Sequence, residues 1–156
     1  MSLQASFDVF GGSAPDCSVH GSAIFSEDGQ FRFVLSRWWG AGPRALIMGA
    51  NPSKAGWPEN DPTVHRIIAL TRQRWSGLDL VNETPLISTD PAGVMAWRAV
   101  ALDGEVEAVL ARNEAIVRQL AETAAARIVA CGNLVSNLAK SRVVDALSYG
   151  GRYPLY

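Results

Sequence analysis

Cysteine is almost missing from this chain: Cys17 and Cys131 are the only two in 156 residues. They lie far apart and neither belongs to a CxxC pair, which argues against a disulfide framework and points to a reducing compartment. Histidine is equally scarce. His20 and His65 lack ligand-type spacing, so neither a structural zinc site nor any other metal or cofactor is expected. A basic excess is missing too, with 14 Lys plus Arg against 15 Asp plus Glu and a formal net charge of −1. Proteins that grip nucleic acid through its phosphates draw affinity from counterion release, so any DNA binding is expected to be weak. No window approaches the roughly eighteen apolar residues of a membrane span. No basic n-region precedes an apolar run at Met1. A cytoplasmic protein without a membrane partner is the expectation; the sequence leaves its oligomeric state unspecified.

Several chemical signatures are absent as well. There is no GxxxxGK[ST] phosphate loop, no GxSxG elbow and no dinucleotide-binding glycine triad. Ser53-Lys54 stands without the rest of a Ser/Lys hydrolase set. No repeat, charge block or low-complexity tract is visible.

What is present is 48% hydrophobic content, enough for one globular domain with a core. Residues 1–20, rich in Gly, Ser, Pro and Ala, read as an irregular lead-in, and 21–156 as a single α/β domain. Ser22–Phe25 and Phe31–Leu35 flank an Asp28-Gly29 turn and predict an N-terminal β-hairpin, its second strand alternating as if covered on one face. Ala45–Ala50 is apolar without alternation, which suits a central strand covered on both faces. Asp61-Pro62 offers an N-cap with proline at the first helical position, and apolar spacing extends a helix from Pro62 to Trp75. Strands follow at Leu78–Val81 and Arg127–Cys131. Helices are predicted within Pro91–Val100, over Glu105–Ala126 with a break near Asn113, and over Asn133–Leu147. The alternation of strand and helix predicts a three-layer α/β/α sandwich with a parallel-rich central sheet.

Right-handed crossovers place the carboxyl ends of parallel strands on one edge, where open α/β sheets bind ligands. Asn51, Asn82 and Asn133 each stand at or just beyond such an end. Three carboxamides, each able to donate and accept, suit a flat polar heterocycle. Each also has a plainer reading. Asn51-Pro52 is a common turn initiator, Asn82 opens a proline-containing loop, and Asn133 caps the last helix. Asp61 is explained by its cap, although the helix start it marks also offers free amides to an anion. His65, in the first turns of that helix, reads as a surface residue. Trp57, between Gly and Pro, either stacks on a base or packs its loop down. Trp38-Trp39, Trp75 and Trp97 read as packing residues, and Arg66, Arg72 and Arg74 as a solvated helix face.

The segments FSEDGQFRFVLSRWW, ALIMGANPSKAGWPENDPTVHR, LDLVNETPLISTDP and VACG, in that order, resemble a bacterial family catalogued as domain of unknown function 1643. The resemblance runs from about Phe25 to Tyr156. Cys131-Gly132 stands where that family tends to have Trp-Gly, and Tyr153-Pro154 where it tends to have His-Pro. The stretch Val100–Leu110 is unusual for it, whereas Asn113-Glu114 looks like its Asn-Asp.

More distantly, the layout is similar to the uracil-DNA glycosylase superfamily, whose first strand ends in a Gly-x-Asn-Pro or Gly-x-Asp-Pro block. That resemblance implies a nucleobase or nucleotide-like ligand and N-glycosidic hydrolysis. In it Asn51 positions water on a loop stiffened by Pro52, Ser53 contacts the substrate, Asn82 reads the base edge and Trp57 stacks. Asp61 and Asn133 line the pocket, and Tyr153 supports the leaving base. The competing expectations are a non-catalytic nucleotide-binding module and a protein-interaction module that uses the Trp-rich hairpin.

Overall fold

The computed structural model describes residues 5–9, 18–52, 60–100, 103–132, 141–149 and 151–156. The strands are β1 (Ala5–Val9), β2 (Val19–Phe25), β3 (Arg32–Trp38), β4 (Arg44–Gly49), β5 (Gly77–Asn82) and β6 (Ala126–Val129). The helices are α1 (Pro62–Thr71), α2 (Pro91–Val100), α3 (Asp103–Thr123) and α4 (Arg142–Ser148). The six strands form one sheet in the order β1-β2-β3-β5-β4-β6. The chain is thus mixed α/β, as its alternation of elements predicts.

The three strands expected to run parallel do so: β4 pairs with β5 on one side and β6 on the other. The sheet as a whole is not parallel-rich. The hairpin β2–β3 joins it edge-on, β3 antiparallel to β5, and β1 adds antiparallel to β2. β1 falls inside the stretch read as an irregular lead-in. Its signal was the short alternation of Ala5, Phe7 and Val9 with Ser6 and Asp8.

The hairpin turns where Asp28-Gly29 predicts it. Gly29 adopts φ +72°, a left-handed conformation that costs glycine little. Asp28 fastens the turn by accepting from Ser26 Oγ at 2.6 Å and from the Gln30 amide at 3.1 Å.

Two apolar clusters flank the sheet. Ala45, Ile47, Leu78 and Leu80 pack with Val64 and Ile68 of α1. Leu46, Met48 and Val81 pack with Val117 and Ala121 of α3 and with Val143, Ala146 and Leu147 of α4. Alternation along β4 assigns the two sets to opposite faces. β4 is buried on both, as its unbroken apolar run predicts. β3 is also buried on both faces, contrary to the one-sided expectation, and it carries the polar residues Arg32, Ser36 and Arg37 inside.

Three helices differ from expectation. α1 ends at Thr71, whose hydroxyl bonds back to the Ile67 carbonyl, and Trp75 instead packs under the helix from the following turn. α3 runs unbroken through Asn113, because that side chain finds a partner outside the helix. The described part of the last helix begins at Arg142 with Ser141 as N-cap. The tail returns to β6, where Tyr156 N–H donates to the Arg127 carbonyl and Val129 N–H to the Tyr156 carbonyl, both at 2.9 Å. These bonds cover part of an otherwise open sheet edge. Among the described residues no helix is long and apolar enough to cross a membrane.

Candidate functional site

The carboxyl ends of β4 and β5 are stitched together beyond the regular sheet. Glu83 N–H donates to Gly49 carbonyl, Thr84 N–H to Ala50 carbonyl and Ser88 N–H to Pro52 carbonyl, at 2.9 to 3.0 Å. The two post-strand loops therefore run side by side. Asn51 ties them further: its Nδ2 donates to the Ser88 carbonyl at 2.7 Å and the Pro52 carbonyl at 3.3 Å. The amide donors of Asn51 are spent on backbone, so Oδ1 is its atom able to accept from a ligand or a water.

Asn82 lies deeper, 3% exposed. Its backbone carbonyl accepts from Asn113 Nδ2 at 2.9 Å, a fully buried bond that fixes the strand end from α3. Its side chain points to the face of α1, because its register partner Gly49 shares a face with Ala45 and Ile47. Gly49 leaves room for it: a Cβ would stand 2.7 Å from Asn82 Oδ1 and would push the carboxamide aside. The Asn82 Nδ2 has no hydrogen-bond partner among the described residues. A buried donor left unsatisfied costs about 1–3 kcal/mol, which an acceptor on a ligand would offset.

These residues line a cavity of about 190 Å³ between the sheet and the start of α1, together with Arg32, Asp61 and Cys131. Asp61 caps α1 as expected, its Oδ1 accepting from Val64 N–H at 2.7 Å. Arg32 reaches the cavity through a β-bulge. The pairs Ile24–Val34 and Phe25–Arg32 slip register by one, so Phe33 is the extra residue. Phe33 and Val34 both join the cluster beneath α3 and α4, while Arg32 lies on the side of Phe25 and α1. Bulges commonly re-aim a side chain in this way. Burial pushes the Arg32 pKa down to about 10, and the nearby Asp61 carboxylate opposes that shift. The guanidinium is still charged at neutral pH. From the same strand, Arg37 Nε holds Asn60 Oδ1 at 2.8 Å, securing the chain just before Asp61.

The structure thus brings Asn51, Pro52, Asp61 and Asn82 to one end of the sheet. Ser53, Trp57 and Asn133 lie outside the described residues. Tyr153 is elsewhere. Its ring sits 3.8 Å from the Arg127 guanidinium carbon, and Arg127 shares a face with its register partner Leu46, under α3 and α4. Arg127 also donates to the Ala121 carbonyl of α3. Tyr153 therefore stacks on the face opposite Asn82 and is not among the residues lining the cavity.

Sequence reasoning missed Arg32, Arg37 and Asn113. Arg32 and Arg37 were legible only as charges inside an apolar strand, and a bulge of one residue is invisible in such a run. Asn113 was noticed as a helix interruption rather than as a buried tether. The packing role read for Trp39, Trp75 and Trp97 holds, each lying against a core cluster. Trp38 stacks on His20 in a wider, shallow cleft of about 560 Å³, near the start of β4 and away from the strand ends. Among the described residues no group of three or more His, Cys, Asp or Glu side chains is placed to hold a metal ion.

A family model described as "Protein of unknown function (DUF1643)" matches residues 32–152. No curated protein and no solved structure matches the chain.

Proposed function

The chain belongs to the DUF1643 family of proteins of unknown function, and on that premise we propose that its strand-end cavity binds a nucleobase or nucleotide-like ligand and supports hydrolysis of an N-glycosidic bond. The observation that carries the reading is the buried Asn82 carboxamide, whose Nδ2 lacks a partner among the described residues at the wall of the strand-end cavity. A ring carbonyl is the acceptor this donor suits. Size supports the same class, because drug-sized ligands occupy about 300–1,000 Å³ and this cavity is smaller. It matches a single heterocycle with its sugar outside. The three-layer, glycosylase-like architecture belongs to this reading too.

In the proposed reaction Asn51 Oδ1 holds a water against the sugar. The water oxygen bonds to the anomeric carbon, the carbon–nitrogen bond breaks, its electron pair leaves on the base, and the water's proton passes to solvent. Asn51 is neutral and orients the water without deprotonating it. Catalysis then rests on positioning and on stabilising the departing base. A free nucleotide or a base in exposed single-stranded DNA fits better than intact duplex, since the net charge of −1 offers little phosphate affinity.

The test is release of free base from nucleotides and from modified single-stranded and duplex oligonucleotides. Asn51→Ala is expected to abolish release while leaving base affinity nearly intact, because the interaction it removes counts mainly in the transition state. Asn82→Ala is expected to weaken binding itself by about 1–3 kcal/mol. A wild-type protein that binds bases but releases none from any substrate would leave a binding module in place of the hydrolase. Tyr153, stacked away from the cavity, favours that second reading over a tail-assisted mechanism.

A further inference from the structure

We infer that Asn113 is a positioning residue of the strand-end site: from the middle of α3 it holds the end of β5 so that the Asn82 carboxamide faces the cavity. The inference rests on the base-binding reading and deepens it. Regular pairing of β3 with β5 ends at Leu35–Leu80, just before the bulge at Phe33. Asn82 lies two residues beyond that last pair. The peptide that follows it is held from two sides. Its N–H, on Glu83, donates to the Gly49 carbonyl of β4 at 2.9 Å. Its carbonyl, on Asn82, points the opposite way across the trans peptide, and Asn113 Nδ2 meets it at 2.9 Å.

Asn113 is fully buried at the centre of a 21-residue helix. Val109, Ile116 and Val117, three or four residues away, pack in the same apolar cluster as Leu46 and Met48. Asn113 Oδ1 has no hydrogen-bond partner among the described residues. A buried acceptor left unsatisfied costs stability, and asparagine is a weaker helix former than leucine or alanine. On stability alone an apolar side chain therefore suits this position better. What asparagine supplies is one donor at one carbonyl. Asn113 is not among the residues lining the cavity, so it acts through Asn82. With the peptide fixed at both its N–H and its carbonyl, rotation about the Cα–C bond of Asn82 is set. The direction in which the carboxamide leaves the strand is set with it. Binding groups need placement to within roughly 0.5 Å, so a small swing of this strand end separates donor from ligand.

The experiment is a double-mutant cycle read by titration with whichever common free nucleobase wild type binds most tightly. Asn113→Ala is expected to weaken that binding about tenfold, a coupling typical of residues in contact. In an Asn82→Ala background the same change is expected to alter affinity by less than about twofold, since the group it positions is gone. Val117→Ala, one turn further along α3, is expected to lower the melting temperature without changing affinity, which separates positioning from lost packing. Should Asn113→Ala fail to fold, or Asn82→Ala bind too weakly to measure, ¹⁵N spectra of wild type decide. The Asn113 side-chain amide is then expected to shift along the same saturation curve as that of Asn82, and an amide that stays still at saturation overturns the inference. Equal weakening by Asn113→Ala in both backgrounds, none in wild type, or an equal loss in Val117→Ala overturns it while leaving base binding intact. Failure of wild type to bind any nucleobase overturns both this inference and the function beneath it.

Discussion

A side chain at Gly49 would meet one close atom, the Asn82 Oδ1 on the strand beside it. The missing Cβ is what lets the Asn82 carboxamide lie against the end of β4 instead of rotating away. Gly49→Ala is therefore expected to displace Asn82 Oδ1 and weaken base binding by about 1–3 kcal/mol, as if the carboxamide itself had been lost. A ligand titration of the folded variant checks this, and unchanged affinity would mean that Asn82 does not read the ligand. At this scale the sequence was informative about chemistry and silent about direction. Asn51 and Asn82 announce themselves as polar residues ending apolar strands. Tyr153 looked equivalent by its place before Pro154, yet its stack on Arg127 takes it to the other face. Which face a tail residue reaches depends on where the chain returns, and local spacing does not encode that.

At the scale of elements, strand and helix types were legible because burial imposes its own period. β4 lies between two parallel neighbours and reads as an unbroken apolar run; α1 reads from its cap and its apolar spacing. The bulge in β3 and the merging of the hairpin into the main sheet were not legible, since both depend on which strand lies alongside. The junction of α3 and α4 shows a further contact of this kind. Arg142 bonds both carboxylate oxygens of Glu107, at 2.8 and 2.9 Å, and bonds Glu114 at 2.8 Å; Arg118 bonds Glu114 at 3.0 Å. Partial burial raises the pKa of Glu114, but hydrogen bonds from Arg118 and Arg142 outweigh it and hold the carboxyl below its ordinary value. A folded-state pKa below the unfolded one stabilises the protein above the ordinary carboxylate range, and that contribution fades as pH falls through the depressed value. Denaturant midpoints measured from neutral to acidic pH should accordingly fall less steeply for Glu114→Gln than for wild type. Parallel curves would remove Glu114 from the acid response.

For the whole molecule, the sheet separates two ends with different chemistry. Where β4 begins, Trp38 stacks on His20 and Arg44 lies over the Trp38 ring at 4.7 Å, in an open cleft. Where β4 and β5 finish, a smaller cavity gathers Asn51, Asn82, Arg32 and Asp61. The larger cleft is the obvious place for a partner if the chain is an interaction module. The smaller one has a buried donor, Asn82 Nδ2, without a partner among the described residues, which a small polar ligand could satisfy. A nuclear magnetic resonance titration of ¹⁵N-labelled wild-type protein with free nucleobases tests the choice most directly. Base binding at the strand ends predicts saturable shifts of the Asn82 and Asn51 side-chain amides and of the Arg32 Nε–H, with the Trp38 indole unmoved. Shifts confined to Trp38, His20 and Arg44, or no shift with any base, would contradict it.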